Sequence, residues 1–212
     1  SRVSRGLGDV YKRQVMLGVI TIDDVVTVID EEAEEDILKL AGVQGDDFYE
    51  AVIATTRARI SWLLVNLLTA ILSALVIGFF DTEIEKLVAL AILMPIVTAL
   101  GGNAGTQALT VAVRAIATKE LTVNNTARTI GKEILVGGIN GILLSAILVL
   151  IVGFWFSDLG LGVVFAVAII INMVVAGFIG VGVPIVLFRV GIDPAVASSG
   201  LVTAITDIIG FF

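Results

Sequence analysis

The sequence predicts an all-α membrane protein: five transmembrane helices per subunit, preceded by a long acidic connecting helix on the cytoplasmic side. Three observations carry that prediction. Five apolar runs cover most of the chain, approximately Ile60–Phe80, Leu87–Val113, Ile134–Phe156, Val163–Phe188 and Ala195–Phe212. About 20 helical residues span a hydrocarbon core, and each run is near or above that length. The composition is 58% hydrophobic and 16% charged with a mean hydropathy of +1.06, whereas soluble domains carry about a quarter charged residues. Finally, residues 23–50 concentrate eleven carboxylates against one lysine, Lys39, so the acid is segregated from the apolar part.

In chain order, residues 1–14 (SRVSRGLGDVYKRQ) are basic and lack the apolar stretch of a secretory signal. They read as a non-native segment. Val15 to Ile22 alternates weakly and reads as one short strand. Thr21 then suits a helix N-cap with Asp24 at N3. A helix follows and stops at Gly42, with Val25, Val28, Ile29 and Leu40 suited to one face. Gln44 to Asp47 reads as a loop. The apolar runs lack the polar face of a surface helix, so they read as membrane spans. Trp62, Trp155 and Phe156 fall near their ends, where aromatics anchor at the interface.

Basic residues set the orientation. Arg57 and Arg59 precede the first run; Arg114, Lys119, Arg128 and Lys132 separate the second from the third; Arg189 lies between the fourth and fifth. With these inside, the outer side keeps only Lys86, beside Asp81, Glu83, Glu85 and Asp158. The acidic amino-terminal segment is then cytoplasmic and the C-terminus lies outside. Phe212 ends the fifth run with no polar flank, which reads as a truncated C-terminus. The domains expected are 1–14 non-native, 15–22 the end of a preceding domain, 23–46 the acidic helix, and 47–212 the five-helix membrane part.

The chemistry is confined to few residues. There is no Cys and no His, so disulfides and thiolate or imidazole ligands are excluded. Any metal must be held by oxygen, which favours hard cations such as Mg2+ or Ca2+. The net charge of -7 argues against a nucleic-acid partner. Nor is there a nucleophile–base pair, phosphate loop or redox motif to suggest an enzyme.

Asp207 is the only carboxylate within the five runs. At about 1.5 Å per residue it lies about 20 Å beyond Pro194, past the middle of the core. An intramembrane carboxylate faces a cavity or a partner rather than lipid. Ser199 and Thr203 precede it by eight and four residues and so form one stripe with it; Thr206 is adjacent.

The second run is interrupted by Gly101-Gly102-Asn103-Ala104-Gly105-Thr106-Gln107. Asn103, Gln107 and Thr110 share a helix face and Thr106 borders it. Pro95 upstream weakens the local helix ladder. Small residues at this density also serve close helix contact, which accounts for the glycines but not for the amides. The expectation is a polar pathway lined by this run. Asn66, Asn140 and Asn172 occur singly and read as interhelical hydrogen-bonding groups. Asp193-Pro194 reads as an N-cap followed by an N1 proline.

Three segments together resemble the MgtE family of magnesium channels: PIVTALGGNAGTQALT (95–110), DPAVASSGLVTAITDIIG (193–210) and VITIDDVVTVIDEEAEEDILKLAGV (19–43). The last is similar to the end of a CBS domain running into a connecting "plug" helix. The resemblance implies a homodimer in the inner (plasma) membrane, with a pore on its two-fold axis lined by the second and fifth helices. It implies Mg2+ both as the transported ion and as a cytoplasmic regulator that closes the pore.

The pore ligands so implied are Asp207, Ser199 and Thr203 on the fifth helix, and Asn103 and Thr106 on the second. The regulatory ligands are Asp24, Glu32, Glu35 and Asp36. The chain departs from the family at Ser198-Ser199-Gly200-Leu201, where a proline is common, and at Thr27, where a carboxylate can stand. Two alternatives stay open: a cation-coupled secondary carrier of divalent metal ions such as Mg2+ or Co2+, and a non-transporting membrane sensor.

Overall fold

The computed structural model describes residues 22–43 and 51–212. The expected strand at 15–21, the Thr21 cap and the Gln44–Asp47 loop lie outside the described residues. Ile22, the last residue of that strand reading, instead opens a helix. The described residues form seven helices and no strand: α1 Ile22–Leu40, α2 Val52–Gly78, α3 Asp81–Lys86, α4 Val88–Ala117, α5 Val123–Phe156, α6 Leu159–Val190 and α7 Pro194–Phe211.

The chain divides into two compact units, residues 1–37 and 38–212. In the first, α1 leaves Val25, Val28 and Ile29 more than 45% exposed, so the expected apolar face is uncovered there. In the second, α1 ends as the sequence predicts. Gly42 takes a φ of 71°. The Gly42 N–H donates to the Lys39 carbonyl, and the Val43 N–H to that of Leu38, both at 2.9 Å. This pair of bonds satisfies the last carbonyls of a helix through a left-handed glycine.

Among the described residues four helices are long and apolar enough to cross a membrane: Val52–Gly78, Val88–Ala117, Asn124–Phe156 and Leu159–Val190. The fifth apolar run forms the shorter helix α7, of 18 residues, about 27 Å at 1.5 Å per residue against a core of about 30 Å, and is not among these four. The four long helices exceed their apolar runs because polar turns continue the backbone ladder outside the apolar part. The eleven residues from Val123 to Glu133, for example, are helical although only three or four of them are apolar. The short α3 was not anticipated, since it falls in a charged connection.

The centre of the fold is α6, which packs along α5 and also against α4 and α7. Phe165, Ile169 and Met173 of α6 form one buried cluster with Leu93 and Val97 of α4 and Leu148 and Val152 of α5. A second joins Ala108 and Ala112 of α4 to Val181 and Ile185 of α6. A third joins Leu109 and Val113 of α4 to Ala195 and Val202 of α7, with Leu40 against it. In contrast, α2 packs chiefly on α7, and only 6% of its apolar window is buried.

Between membrane helices there is little hydrophobic drive, because lipid tails are as apolar as leucine; close backbone approach supplies van der Waals contact instead. At Gly177 of α6 an added Cβ would stand 2.4 Å from the Glu133 carbonyl oxygen of α5, whereas at Gly182 it would meet nothing within 4 Å. Replacing Gly177 by Ala must therefore move two backbones apart, and overpacking of this kind costs about 1–3 kcal/mol. Thermal unfolding in detergent is expected to show a lower midpoint for Gly177→Ala. Gly182→Ala, on the same helix, is expected to match or exceed the parent because alanine favours helix.

Candidate functional site

Asp207 is placed by the way α7 is held. Its N-cap, Asp193, accepts a hydrogen bond from the Ala195 N–H through Oδ1 at 2.9 Å, and Pro194 opens the helix. The other carboxylate oxygen, Oδ2, accepts from Lys39 Nζ at 3.2 Å. Further along, Val202 and Thr206 are fully buried. They lie against Gly105 of α4, where an added Cβ would come within 2.6 Å of Val202 Cγ1 and 3.6 Å of Thr206 Cγ2. The Thr206 hydroxyl is spent on its own helix, reaching the Val202 and Thr203 carbonyls at 3.0 and 2.9 Å.

Asp207 therefore points elsewhere, about 100° round the helix from Thr206. Ser199, Thr203 and Asp207 line one cavity of about 320 Å3, whose facing wall is α2 with Asn66 and Thr69. The stripe expected on α7 thus opens on a common space. Among the described residues that line it, the only charge is the Asp207 carboxylate; the remaining polar groups are hydroxyls and one amide. Such a set suits a hard cation or its waters.

Asn103 and Thr106 are not among the residues lining this cavity. The run 101–107 is split between two faces of α4. Gly101, Gly105, Ala108, Leu109 and Ala112 are buried and lie within about 60° of Gly105 at 100° per residue. Asn103, Thr106, Gln107 and Thr110 are exposed and lie about 100–200° away. The glycines serve packing: at Gly101 an added Cβ would collide with the Asn172 amide of α6. The hydroxyls are satisfied within α4, Thr106 donating to the Gly102 carbonyl and Thr110 to that of Thr106, both at 2.9 Å. The outward face is thus a polar row on a membrane-length helix.

Asn172 is buried and bridges helices as expected, its Nδ2 donating to the Val97 carbonyl at 3.0 Å. Asn140 is exposed on α5. On α1, Asp24 and Glu35 are exposed, while the Glu32 and Asp36 side chains lie outside the described residues. By helix geometry Glu32, Glu35 and Asp36 share a face, and Asp24 stands about 12 Å before Glu32. Among the described residues no group of three or more carboxylates converges.

Two residues escaped the sequence reading. Glu133 stands one position before the third apolar run and beside Lys132, which reads as a charged flank. It is instead well inside α5, with 12% of its side chain exposed and Oε1 3.8 Å from Lys132 Nζ. Thr69 of α2 carried no signal at all. Its place in the cavity depends on which helix faces α7.

The fold defines a multi-pass α-helical membrane protein with a carboxylate-bearing cavity between two of its helices. The chain belongs to the MgtE family: the family model described as "Divalent cation transporter" matches residues 94–212. It is similar to the protein named magnesium transporter MgtE of Enterococcus faecalis, with 34% identity over 193 residues, covering 91% of this chain and 43% of that protein. Its likeness to the proteins of the same name from Thermus thermophilus and Bacillus subtilis is 35% and 31%, covering 92% and 94% of this chain and 44% and 45% of theirs. The chain thus spans less than half the length of these relatives.

The double use of Asp193 gives a test of how α7 is positioned. Asp193→Ala removes the cap, worth about 1 kcal/mol, and a partly exposed ion pair worth under about 1 kcal/mol. Its unfolding midpoint is expected to fall. Asn caps as well as Asp, so Asp193→Asn should lose only the ion-pair share, and raising the salt concentration should narrow its gap from the parent.

Proposed function

We propose that this chain is the membrane part of a Mg2+ transporter that works as a homodimeric channel, with Asp207 as the residue that attracts the ion. One observation carries the reading: a carboxylate on a membrane helix opens on a cavity lined by neutral oxygen groups. The family and the names of the relatives support Mg2+ as the cargo. So does the absence of His and Cys, since Mg2+ takes oxygen ligands and sheds its water reluctantly. A pore that accepts the hydrated ion needs spaced acceptors and little charge. Several weak contacts let the ion leave again.

The homodimer is supported by what one protomer leaves uncovered. Asn103, Thr106, Gln107 and Thr110 are exposed on α4, and a row of amides and hydroxyls does not face hydrocarbon without cost. A second copy enclosing a water-filled path would meet them. Asp207, Ser199 and Thr203 from α7 and Asn103 and Thr106 from α4 then contribute to one pathway. In this reading all five apolar helices cross an inner (plasma) membrane, with residues 1–46 cytoplasmic and the C-terminus outside.

The 23–46 segment is the plug helix, and Asp24, Glu32, Glu35 and Asp36 bind regulatory Mg2+ with partners beyond this chain. Residues 15–22 are then the end of a CBS domain, and 47–212 are the pore. A coupled carrier is less favoured. Proton coupling needs a second titratable group near the ion, and Glu133, the further carboxylate within the candidate membrane helices, does not line the cavity.

Two measurements test the channel. Asp207→Asn is expected to lower Mg2+ uptake into proteoliposomes by about 100-fold or more, as for a buried charge deprived of its partner; uptake at the parent rate would remove Asp207 from the mechanism. In patched bilayers, openings driven by the Mg2+ gradient alone are expected. A current that requires a second ion gradient would establish the carrier instead.

A further inference from the structure

The cavity at Asp207 has a wall that neither the α4 row nor the α7 stripe supplies. It belongs to α2, a helix of leucines more than half exposed, including Leu63, Leu64, Leu67 and Leu68. Asn66 and Thr69, three residues apart and so on one face, turn from that apolar surface into the cavity opposite Asp207. The approach is close. At Gly200 of α7 an added Cβ would stand 3.0 Å from Asn66 Oδ1 and 3.6 Å from the Trp62 ring. Gly200 therefore makes α7 thin where the amide of α2 meets it.

The hydrogen-bonding character of this wall is specific. The Thr69 hydroxyl donates to the Asn66 backbone carbonyl at 2.8 Å. Its proton is engaged, which leaves Oγ1 as an acceptor toward the cavity. Asn66 Oδ1 is a second acceptor, and Asp207 is acceptor-only when ionised. A space with acceptors on both sides, beside the hydroxyls of Ser199 and Thr203 and the Asn66 amide nitrogen, can take a ligand that presents donors outward while carrying positive charge. A hydrated divalent cation does both, since its bound waters point their hydrogens away from the metal. Six waters at about 30 Å3 each occupy about 180 Å3, which fits within the cavity of about 320 Å3.

We infer that Asn66 and Thr69 of α2 are specificity-determining residues, which accept hydrogen bonds from the water shell of the ion that Asp207 attracts. This rests on the reading of Asp207 given above. The two helices then divide the work. α7 brings the charge, and α2 brings neutral oxygens that recognise the shell without binding the metal directly.

The test moves the carboxylate across the cavity. In the purified protein, Mn2+ is titrated as the spectroscopic stand-in and Mg2+ uptake is measured in proteoliposomes. Asp207→Asn is expected to weaken Mn2+ binding and uptake. The swapped variant Asp207→Asn/Asn66→Asp, which restores the charge from the opposite wall, is expected to recover binding by about tenfold or more, the scale of a charge-assisted hydrogen bond. Thr69→Val, equal in shape but without the acceptor, is expected to raise the Mg2+ concentration for half-maximal uptake at least about threefold with an unchanged thermal midpoint.

If Asp207→Asn loses binding and the swap restores none of it, Asn66 does not face the ion, and the inference fails while the function of Asp207 stands. If Asp207→Asn binds and transports as the parent does, both fall together. An unchanged half-saturation for Thr69→Val removes Thr69 from the set.

Discussion

A polar group within a bilayer finds no partner in lipid, so the protein must supply one, and the rest of this structure follows from how it does so. Many of the hydroxyls are handled locally. Thr106, Thr110, Ser73 and Thr206 each return a hydrogen bond to a carbonyl four residues back in their own helix, and Ser145 reaches three back. They need no second helix. Amides and carboxylates cannot be satisfied so cheaply, and several of them sit at contacts between elements. Asn172 bridges α6 to the Val97 carbonyl of α4. Asn66 and Asp207 face one another's space across a cavity. Asp193, at a helix start, uses both of its oxygens.

The position of the carboxylate then depends on packing rather than on the carboxylate itself. At Gly180 an added Cβ would stand 2.6 Å from the Gly105 carbonyl oxygen, and Gly105 in turn meets Val202 of α7. Three helices therefore converge on one glycine. With Val202 and Thr206 committed to that contact, the next position round the helix has no choice but to look toward α2. Gly105, one of the glycines that the sequence assigns to close helix contact, is what sets the rotation of the site helix.

The apolar runs were legible because membrane solvation acts on composition, and composition needs no partner to be read. Helix ends were less so: α5 begins eleven residues before its apolar run, at Val123, since backbone hydrogen bonds continue through polar turns. The run 101–107 was legible as special but not as to its purpose. Periodicity shows that Asn103 and Gly105 lie on different faces, but only the neighbours show that the glycine face is buried. Glu133 was hidden by its charged neighbour Lys132. The α2 wall was hidden for a deeper reason. Asn66 and Asp207 are 141 positions apart in sequence, and no local pattern records which apolar helix lies beside which.

One turn of chain touches both walls of the cavity. Lys39, in the last turn of α1, pairs with Asp193 at the start of α7. Three residues on, Gly42 takes the ring of Trp62 from α2, so close that a Cβ there would fall 2.2 Å from the indole. Trp62 is one helical turn before Asn66, and Asp193 heads the helix that carries Asp207. The two helices that wall the cavity are thus both contacted, outside it, by a short segment that contributes no side chain to its lining.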